Sequence, residues 1–215
     1  MMPLRILVIE NANWMKQLPL QSHHLMEQLS IRGHSVTVLD YDDSPKRYRK
    51  GISGLTKIEI IKNYRRIYKD ARITLIRSKV PALPIINRAS YLLSHSALVW
   101  SLIKQVDVVL CYSVSPSVLS IISACKIFEK PLVFHSFDVL HQLTKFKKIK
   151  PLLFLLEKYT YFNSDAILTV TPALNKYLMN LGVSPMKIYY LPVGIDTDLF
   201  KPCLLYTSPS PRDRG

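Results

Sequence analysis

The sequence predicts an α/β fold in which helices cover both faces of a doubly wound, parallel sheet. About seven short apolar runs typical of strands alternate with helical segments along the chain. These runs are apolar almost throughout, which is typical of strands buried on both faces. A chain of 215 residues that is 48% hydrophobic is long enough to bury such a core as one large domain.

The first part of the chain predicts a strand, a helix and a second strand. Residues 4–9 form a continuous apolar run rich in β-branched side chains, as expected of a buried strand. A partial apolar stripe at helical spacing covers residues 25–31 and predicts a helix, and Gly33 suits its carboxyl-terminal cap. Residues 35–39 then predict the second strand.

The remaining elements repeat this alternation. Further strands are predicted at residues 72–77, 106–111, 131–135, 165–170 and 187–191. Helices are predicted at about 85–104, 115–129, 151–162 and 172–181. Ser115 and Pro116 favour a helix start because serine caps and proline fits the first turn, while Gly182 favours a helix end.

Missing motifs argue strongly against a standard NAD-dependent dehydrogenase and against a P-loop NTPase. The six glycines form neither the dinucleotide-binding pattern GxGxxG nor the phosphate loop GxxxxGK[ST], and GxSxG and HExxH are also absent. Three cysteines without a CxxC pair argue against a disulfide framework or a zinc ribbon and fit a reducing compartment. No apolar run approaches the roughly 20 residues of a membrane span, and no signal peptide is recognised. The expected location is the cytoplasm.

A basic stretch at residues 46–88 is the strongest compositional signal. It holds thirteen Lys and Arg against two acidic residues, in a chain of net charge +14. Such an excess favours an anionic surface, although solvated charge is the usual reading of a charge run. We expect the cytoplasmic face of an anionic membrane as the partner, with Arg65, Arg66 and Lys69 on the contact surface.

Four segments of the chain carry a family resemblance. Residues 157–171 read EKYTYFNSDAILTVT, residues 181–183 read LGV, and residues 187–202 read KIYYLPVGIDTDLFKP. Earlier, residues 32–38 read RGHSVTV. In order and spacing these segments resemble the amino-terminal domain of retaining glycosyltransferases of family 4, over roughly residues 3–202.

The resemblance implies a Rossmann-like domain that forms one half of a GT-B architecture, the acceptor-side half, at residues 1–202. It also implies transfer of a sugar, a hexosyl group by expectation, from a nucleotide-sugar donor to a lipid or glycan acceptor, without a metal or other cofactor. Two details differ from the family pattern: the first loop lacks a glycine pair, and Val193 replaces the usual asparagine. The E-x7-E motif of the donor-binding domain is missing, since Glu157 is the last glutamate. The fragment is therefore expected to be inactive alone.

The last thirteen residues, 203–215, depart from the family pattern. They read CLLYTSPSPRDRG and resemble translated adapter or vector sequence. The alternative is a natural flexible terminus rich in proline and serine. In either case we expect a disordered or artefactual tail.

Ligands of doubly wound sheets bind outside the carboxyl ends of the strands, so the candidate site residues are sought there. A histidine at the end of a buried strand can donate a hydrogen bond to a sugar hydroxyl or contact the reacting centre, so His135 is the catalytic candidate. Asp138 is its candidate orienting partner and is also counted among the substrate-binding residues. The resemblance implies that a histidine at this strand end lies in the active cleft. The alternative is a histidine satisfied by loop backbone, and its spacing from His141 matches no common metal site.

Further substrate-binding candidates follow other strand ends: Asn11, Asn13, Trp14, Ser113, Thr171 and Gly194. Amides and an indole suit hydrogen bonding and stacking with a sugar or nucleotide, but asparagine is also an ordinary turn residue. Ser113 and Thr171 are equally suited to capping the next helix. Gly194 suits a tight backbone beside the interdomain cleft, or a turn alone.

Two other functions compete with sugar transfer. One is a basic α/β module that binds nucleic acid, although the chain has no RNP motif, zinc finger or helix-turn-helix, and no nucleic-acid partner is expected. The other is a metabolic enzyme complete in one domain, which the missing glycine motifs disfavour.

Overall fold

Strands and helices alternate along the chain as predicted. The computed structural model describes residues 2–10, 13–16, 18–41, 58–78, 86–112, 114, 117–194 and 196–197. The strands are β1 Arg5–Ile9, β2 Ser35–Tyr41, β3 Glu59–Tyr64, β4 Ile73–Ser78, β5 Val108–Cys111, β6 Leu132–Ser136, β7 Ala166–Thr169 and β8 Ile188–Tyr190. The helices are α1 Gln21–Ile31, α2 Ile86–Leu102, α3 Val118–Ile127, α4 Leu140–Leu143, α5 Lys150–Asn163 and α6 Pro172–Asn180.

The eight strands form one sheet in the order β3-β4-β2-β1-β5-β6-β7-β8. Every neighbouring pair is parallel except β3 and β4. From the central β1 the chain first builds one side of the sheet and then returns to build the other. The reversal lies between β1 and β5, and sheets of this kind bind ligands at that point, outside the carboxyl ends of the strands. The predicted α/β class is confirmed.

Both faces of the sheet are covered, as the apolar strands predict. Leu7 and Ile9 of β1 are buried in a core to which α2, α3, α5 and α6 contribute. Ile6 and Val8 are buried in a second core, together with Met26 of α1. Alternate residues of one strand therefore enter different cores, which explains why the strand is apolar at successive positions.

The structure contains one strand that the sequence analysis did not predict. β3 lies inside the basic stretch, at the edge of the sheet, and pairs antiparallel with β4. Its residues are half-buried or exposed, and its register shifts between Ile61 and Tyr64, where Asn63 has φ 54°. An exposed edge strand needs no continuous apolar run, so the pattern that finds buried strands does not find this one.

Helix ends agree with the glycine positions. Gly33 and Gly182 follow α1 and α6 with φ of +91° and +90°, a left-handed conformation in which glycine avoids Cβ strain. The helix predicted from residue 115 begins later, at Val118, and Ser115 and Pro116 lie outside the described residues. The predicted tail, 203–215, also lies outside them. None of the described helices has the length and hydropathy needed to cross a membrane.

Candidate functional site

A cavity of about 160 Å³ lies at the carboxyl ends of β5 and β6, next to the reversal of strand order. Its walls come from the residues that follow these two strands, from α4, and from the buried side of α5. This is the position at which doubly wound sheets bind ligands. The cavity is therefore the candidate functional site.

His135, near the end of β6, is the central residue of this cavity. Its side chain is fully buried, and neither ring nitrogen has a hydrogen-bond partner among the residues that the structure describes. Burial lowers the pKa of the imidazole to about 4, so the ring is neutral at pH 7. No backbone group of the described loops satisfies the ring, and buried polar groups without partners are rare in proteins.

Aromatic rings enclose the imidazole. The ring centroid of Tyr112 lies 5.0 Å from that of His135, and the ring of Phe137 lies 4.4 Å from it. The Tyr112 hydroxyl is buried and, like the imidazole, lacks a hydrogen-bond partner among the described residues. Burial raises the pKa of this phenol, so it remains a neutral hydrogen-bond donor. The wall of the cavity therefore contains two uncharged, buried polar rings, His135 and Tyr112, together with the carboxylates of Asp138 and Glu157.

The segment after β6 is held over the cavity by Glu157 of α5. This carboxylate is 1% exposed and accepts hydrogen bonds from the backbone nitrogens of Leu140, at 2.5 Å, and His141, at 3.2 Å. The His141 ring also contacts Glu157 through Nδ1. Because Glu157 caps the short helix α4, it fixes the turn that carries Asp138. Asp138 lines the cavity but is exposed, and no hydrogen bond joins it to the His135 ring.

A second group of polar residues lies at the carboxyl ends of β2 and β4, and its polar atoms are paired. Arg77 forms two hydrogen bonds to Asp40, one of them 2.9 Å from Nε to Oδ1. Both side chains are buried. Asn13 joins them through its Oδ1 atom, which accepts a hydrogen bond of 3.0 Å from Arg77. The amide of Asn13, predicted to bind substrate, is thus tied to a buried ion pair.

Trp14, also predicted to bind substrate, is packed in the core. Its ring is fully buried and stacks on that of His23, with centroids 4.0 Å apart. The Trp14 backbone nitrogen donates to Asp40, at 3.1 Å, and its carbonyl oxygen lies 2.9 Å from the His23 ring. The indole therefore presents no open face to a ligand. Asn11, the third candidate of this loop, lies outside the described residues.

The segment that carries the basic residues predicted to contact a membrane is held by a buried carboxylate. Glu27 of α1 is fully buried and accepts hydrogen bonds from the backbone nitrogens of residues 66–68 at 2.7–3.0 Å. The Arg66 guanidinium donates to the Trp14 carbonyl at 2.9 Å. Arg65 donates to the Lys69 carbonyl at 2.8 Å. Arg65 and Lys69 are exposed, whereas Arg66 is half-buried and contributes to the fold.

The two other predicted site residues that the structure describes, Thr171 and Gly194, do not line the His135 cavity. Thr171 caps α6 by accepting a hydrogen bond from the Leu174 nitrogen, at 3.2 Å. Gly194 lines a separate groove of about 410 Å³ beside α1, where Tyr68 donates to Asp196 at 2.7 Å. Ser113 lies outside the described residues. Substrate contact by these residues stays a prediction.

The family model described as Glycosyltransferase Family 4 matches residues 21–199, most of the chain. The chain belongs to glycosyltransferase family 4. No curated protein matches it. The family assignment predicted from residues 157–202 and 32–38 is therefore confirmed.

Solved structures agree with this assignment at the level of the fold. The Anabaena protein HepE, in complex with UDP and glucose, is 14% identical with a TM-score of 0.57, covering 98% of this chain and 48% of that one. A glycosyltransferase from Rickettsia africae is 16% identical, with a TM-score of 0.54. The match covers 98% of this chain and 47% of that one. A Listeria monocytogenes protein described as a putative UDP-N-acetylglucosamine 2-epimerase is 12% identical, with a TM-score of 0.54. The match covers 88% of this chain and 45% of that one. This family 4 chain thus spans about half the length of these proteins and has the fold of one half of a GT-B glycosyltransferase.

Sequence reasoning missed two groups of residues at the carboxyl edge of this family 4 domain. Asp40 and Arg77 each follow an apolar strand run directly, and a charged residue in that position was the available signal. Tyr112 directly follows the strand that ends in Cys111. Its role beside His135 depends on the adjacency of β5 and β6, which the sequence alone does not reveal.

Proposed function

We propose that this chain is the acceptor-binding half of a retaining glycosyltransferase that transfers a sugar from a nucleotide-sugar to a lipid or glycan acceptor. The observation that carries the proposal is His135, a buried imidazole with two unpartnered nitrogens among the described residues. A buried polar group without a partner costs free energy, so its retention favours a ligand that completes the hydrogen bonds. Family 4 membership makes a sugar the expected ligand class.

The chemistry of the cavity suits a hydroxyl group. The neutral His135 ring offers one donor and one acceptor, and a sugar hydroxyl pairs with both. Tyr112 adds a phenolic donor, while Phe137 packs against the imidazole and excludes water from it. His135 is thereby suited to orienting an acceptor or donor hydroxyl at the edge of the cleft. Glu157 and α4 keep the wall of the cavity in place.

A nucleotide-sugar donor is proposed because the structurally similar HepE was solved with UDP and glucose. Retention of the anomeric configuration, and transfer without a metal or other cofactor, are taken from the family resemblance. Since the chain spans about half of its structural relatives, we expect the donor phosphates to be held by a second domain. The 215 residues alone should then turn over no nucleotide-sugar, and turnover by this chain would contradict the proposal.

We propose further that the protein works at the cytoplasmic face of an anionic membrane. Its net charge of +14 suits an acidic surface, and a lipid acceptor would be met there. A nucleic-acid partner is the competing outcome. Salt-sensitive binding of the chain to single-stranded RNA, with none to acidic vesicles, would favour that alternative.

The test of the transfer function compares two buried histidines in the gene's full-length product. Release of nucleoside diphosphate is measured with UDP-glucose, UDP-N-acetylglucosamine or GDP-mannose in the presence of a membrane lipid extract. His135→Met should lower kcat roughly 10- to 100-fold because the oriented hydroxyl is lost. His95→Met is the control, since His95 of α2 is also fully buried, with its pKa lowered to about 4, but lies outside the cavity. Equal kinetics of the His135 variant and wild type would contradict the role.

A further inference from the structure

The turn from α4 to α5 presents a row of apolar side chains to solvent. The row recurs at every third residue and its members are 42–73% exposed: Leu143, Phe146, Ile149, Leu152 and Leu155. We call these five residues the apolar face. Residues 147–149 form a 3-10 turn directly before α5, and Ile149, its last residue, is one of the five. Exposed apolar side chains therefore continue from the end of α4 through this turn into α5.

Helix α5 carries apolar side chains on its outer side as well as on its inner side. The inner side buries Tyr161, at 1% exposure, together with the polar Glu157 and Thr160, at 1% and 0%. Its outer side carries Leu152 and Leu155, at 58% and 61% exposure. A helix on the surface of a globular domain normally turns its apolar stripe inward and its charged residues outward. Leucines at the outward positions therefore indicate a surface with a partner of its own.

Lysines lie between the members of the apolar face, and the segment that carries them contains no carboxylate between Asp138 and Glu157. Residues 139–156 contain four lysines, Lys145, Lys147, Lys148 and Lys150, and no Asp or Glu. The first three are exposed and Lys150 is partly exposed. Alternating lysines and large apolar residues match the boundary of an anionic bilayer, where apolar side chains enter the acyl region and ammonium groups meet acidic headgroups.

We propose that the apolar face docks on an anionic membrane, with its five apolar side chains inserted and the four lysines on the headgroups. Leu143 belongs both to this face and to the wall of the His135 cavity. A lipid acceptor can therefore pass from the bilayer to His135 along one continuous surface. The link to an acceptor rests on the proposed function, whereas binding to the membrane does not depend on sugar transfer.

The contact surface predicted from sequence is a matched control. Arg65 and Lys69 are exposed cations of the same chain, on the opposite half of the sheet, beside β3. Removing these two charges changes the net charge as much as removing Lys147 and Lys148. Long-range attraction is equal in the two cases, so a difference in binding reports direct contact.

Binding is measured by flotation of the 215-residue chain with vesicles of phosphatidylglycerol and phosphatidylcholine, and with vesicles of phosphatidylcholine alone. Phe146→Ser/Leu152→Ser should weaken partitioning into the acidic vesicles by roughly 100-fold, about tenfold for each inserted side chain. Lys147→Gln/Lys148→Gln should weaken it roughly 25-fold, about fivefold for each charge. Arg65→Gln/Lys69→Gln should change it by less than about twofold. All six side chains are exposed, so the variants should keep the wild-type melting temperature.

Four outcomes would overturn the proposal. The first is that the wild-type chain does not bind acidic vesicles at low salt. The second is that the Phe146/Leu152 variant binds as strongly as the wild-type chain. The third is that the Arg65/Lys69 variant loses as much binding as the Lys147/Lys148 variant. A stable dimer of the chain that only the Phe146/Leu152 variant dissolves would also overturn it, because a second copy would then cover the face. The His135→Met variant should bind vesicles as strongly as the wild-type chain. Vesicle binding therefore tests the docking surface, and the transfer assay tests the proposed function, so one can fail without the other.

Discussion

The two halves of the sheet's carboxyl edge treat their buried polar groups in opposite ways. At the ends of β2 and β4, Asp40 and Arg77 form a buried ion pair to which Asn13 adds a further hydrogen bond. At the ends of β5 and β6, His135 and Tyr112 are equally buried but lack partners among the described residues. The polar atoms of Asp40 and Arg77 pair with each other, whereas those of His135 and Tyr112 lack partners among the described residues. We call the half that contains the ion pair the closed half. The Trp14 indole nitrogen in that half is also buried without a described partner, so an unpaired polar atom marks a candidate ligand site only where it belongs to a residue that lines a cavity, as His135 and Tyr112 do.

The closed half also fixes the loop after β1. Glu27 holds the backbone of residues 66–68, and Arg66 in turn holds the Trp14 carbonyl. Trp14 stacks on His23. Substitutions in this half should change stability, whereas substitutions at His135 should change ligand binding, and the following predictions test that contrast.

The largest expected effect is the loss of Asp40. Asp40→Ala leaves the Arg77 guanidinium buried without its carboxylate, so we expect the free energy of unfolding to fall by about 3–5 kcal/mol. Urea unfolding followed by circular dichroism measures the change. Arg5→Ala is the control, since it breaks a solvent-exposed pair with Asp107 and should have a far smaller effect. Similar losses from the two variants would contradict a special role for the buried pair.

The next effect is a pH dependence that comes from His135. Its pKa is about 4 in the folded chain and near 6.5 when unfolded, so the unfolded state binds more protons between these values. Above pH 6.5 the ring is neutral in both states, so it does not lower the free energy of unfolding. As the pH falls from about 6.5 to about 4, the unfolded state takes up the proton and the free energy of unfolding decreases. His135→Met should remove up to about 3 kcal/mol of this loss, measured by urea unfolding at several pH values.

The buried His95, whose pKa is also lowered to about 4, remains in that variant. The His135→Met curve should therefore still decline toward acid pH, but less steeply than the wild-type curve. Identical curves would show that His135 is charged or exposed in the folded chain.

A smaller loss is expected at Glu27. Glu27→Gln replaces a carboxylate that accepts three backbone hydrogen bonds by an amide with a single oxygen, and should cost about 2 kcal/mol. Hydrogen exchange of the amides of residues 66–68 should speed up together with this loss. Unchanged exchange would mean that β3 and β4 hold the segment without the carboxylate.

The smallest effect is expected from His135→Met at pH 7. Methionine fills the space without leaving polar atoms unpaired, so the free energy of unfolding should stay within about 1 kcal/mol of wild type. Thermal unfolding gives the comparison. A loss as large as that of Asp40→Ala would place His135 among the structural residues of the closed half.

The buried part of the fold could be predicted from the sequence because the buried strands are apolar at most of their successive positions. Residues 4–9 show this most clearly, since Ile6 and Leu7 enter different cores. β3 could not be predicted in this way. Its sequence, EIIKNY, is polar at several positions because an edge strand is solvated, so only pairing with β4 defines it.

The candidate site was predicted in part. His135 was found because it ends an apolar run, and a strand end is visible in the sequence. Trp14 was assigned to substrate on the polarity of its indole, but its stacking on His23 depends on how α1 packs. The pairing of Asp40 with Arg77 requires β2 and β4 to be neighbours, a property of the sheet order rather than of either strand.

The central claim is that the buried imidazole of His135 receives a sugar hydroxyl. The most direct measurement is NMR of the ring nitrogens of His135 in this chain, with isotope-labelled histidine, at pH 7. The account predicts a neutral ring whose nitrogen signals shift when glucose, N-acetylglucosamine or mannose is added, while those of His95 stay in place. A charged ring at pH 7, or His135 signals that respond to none of these sugars, would contradict it.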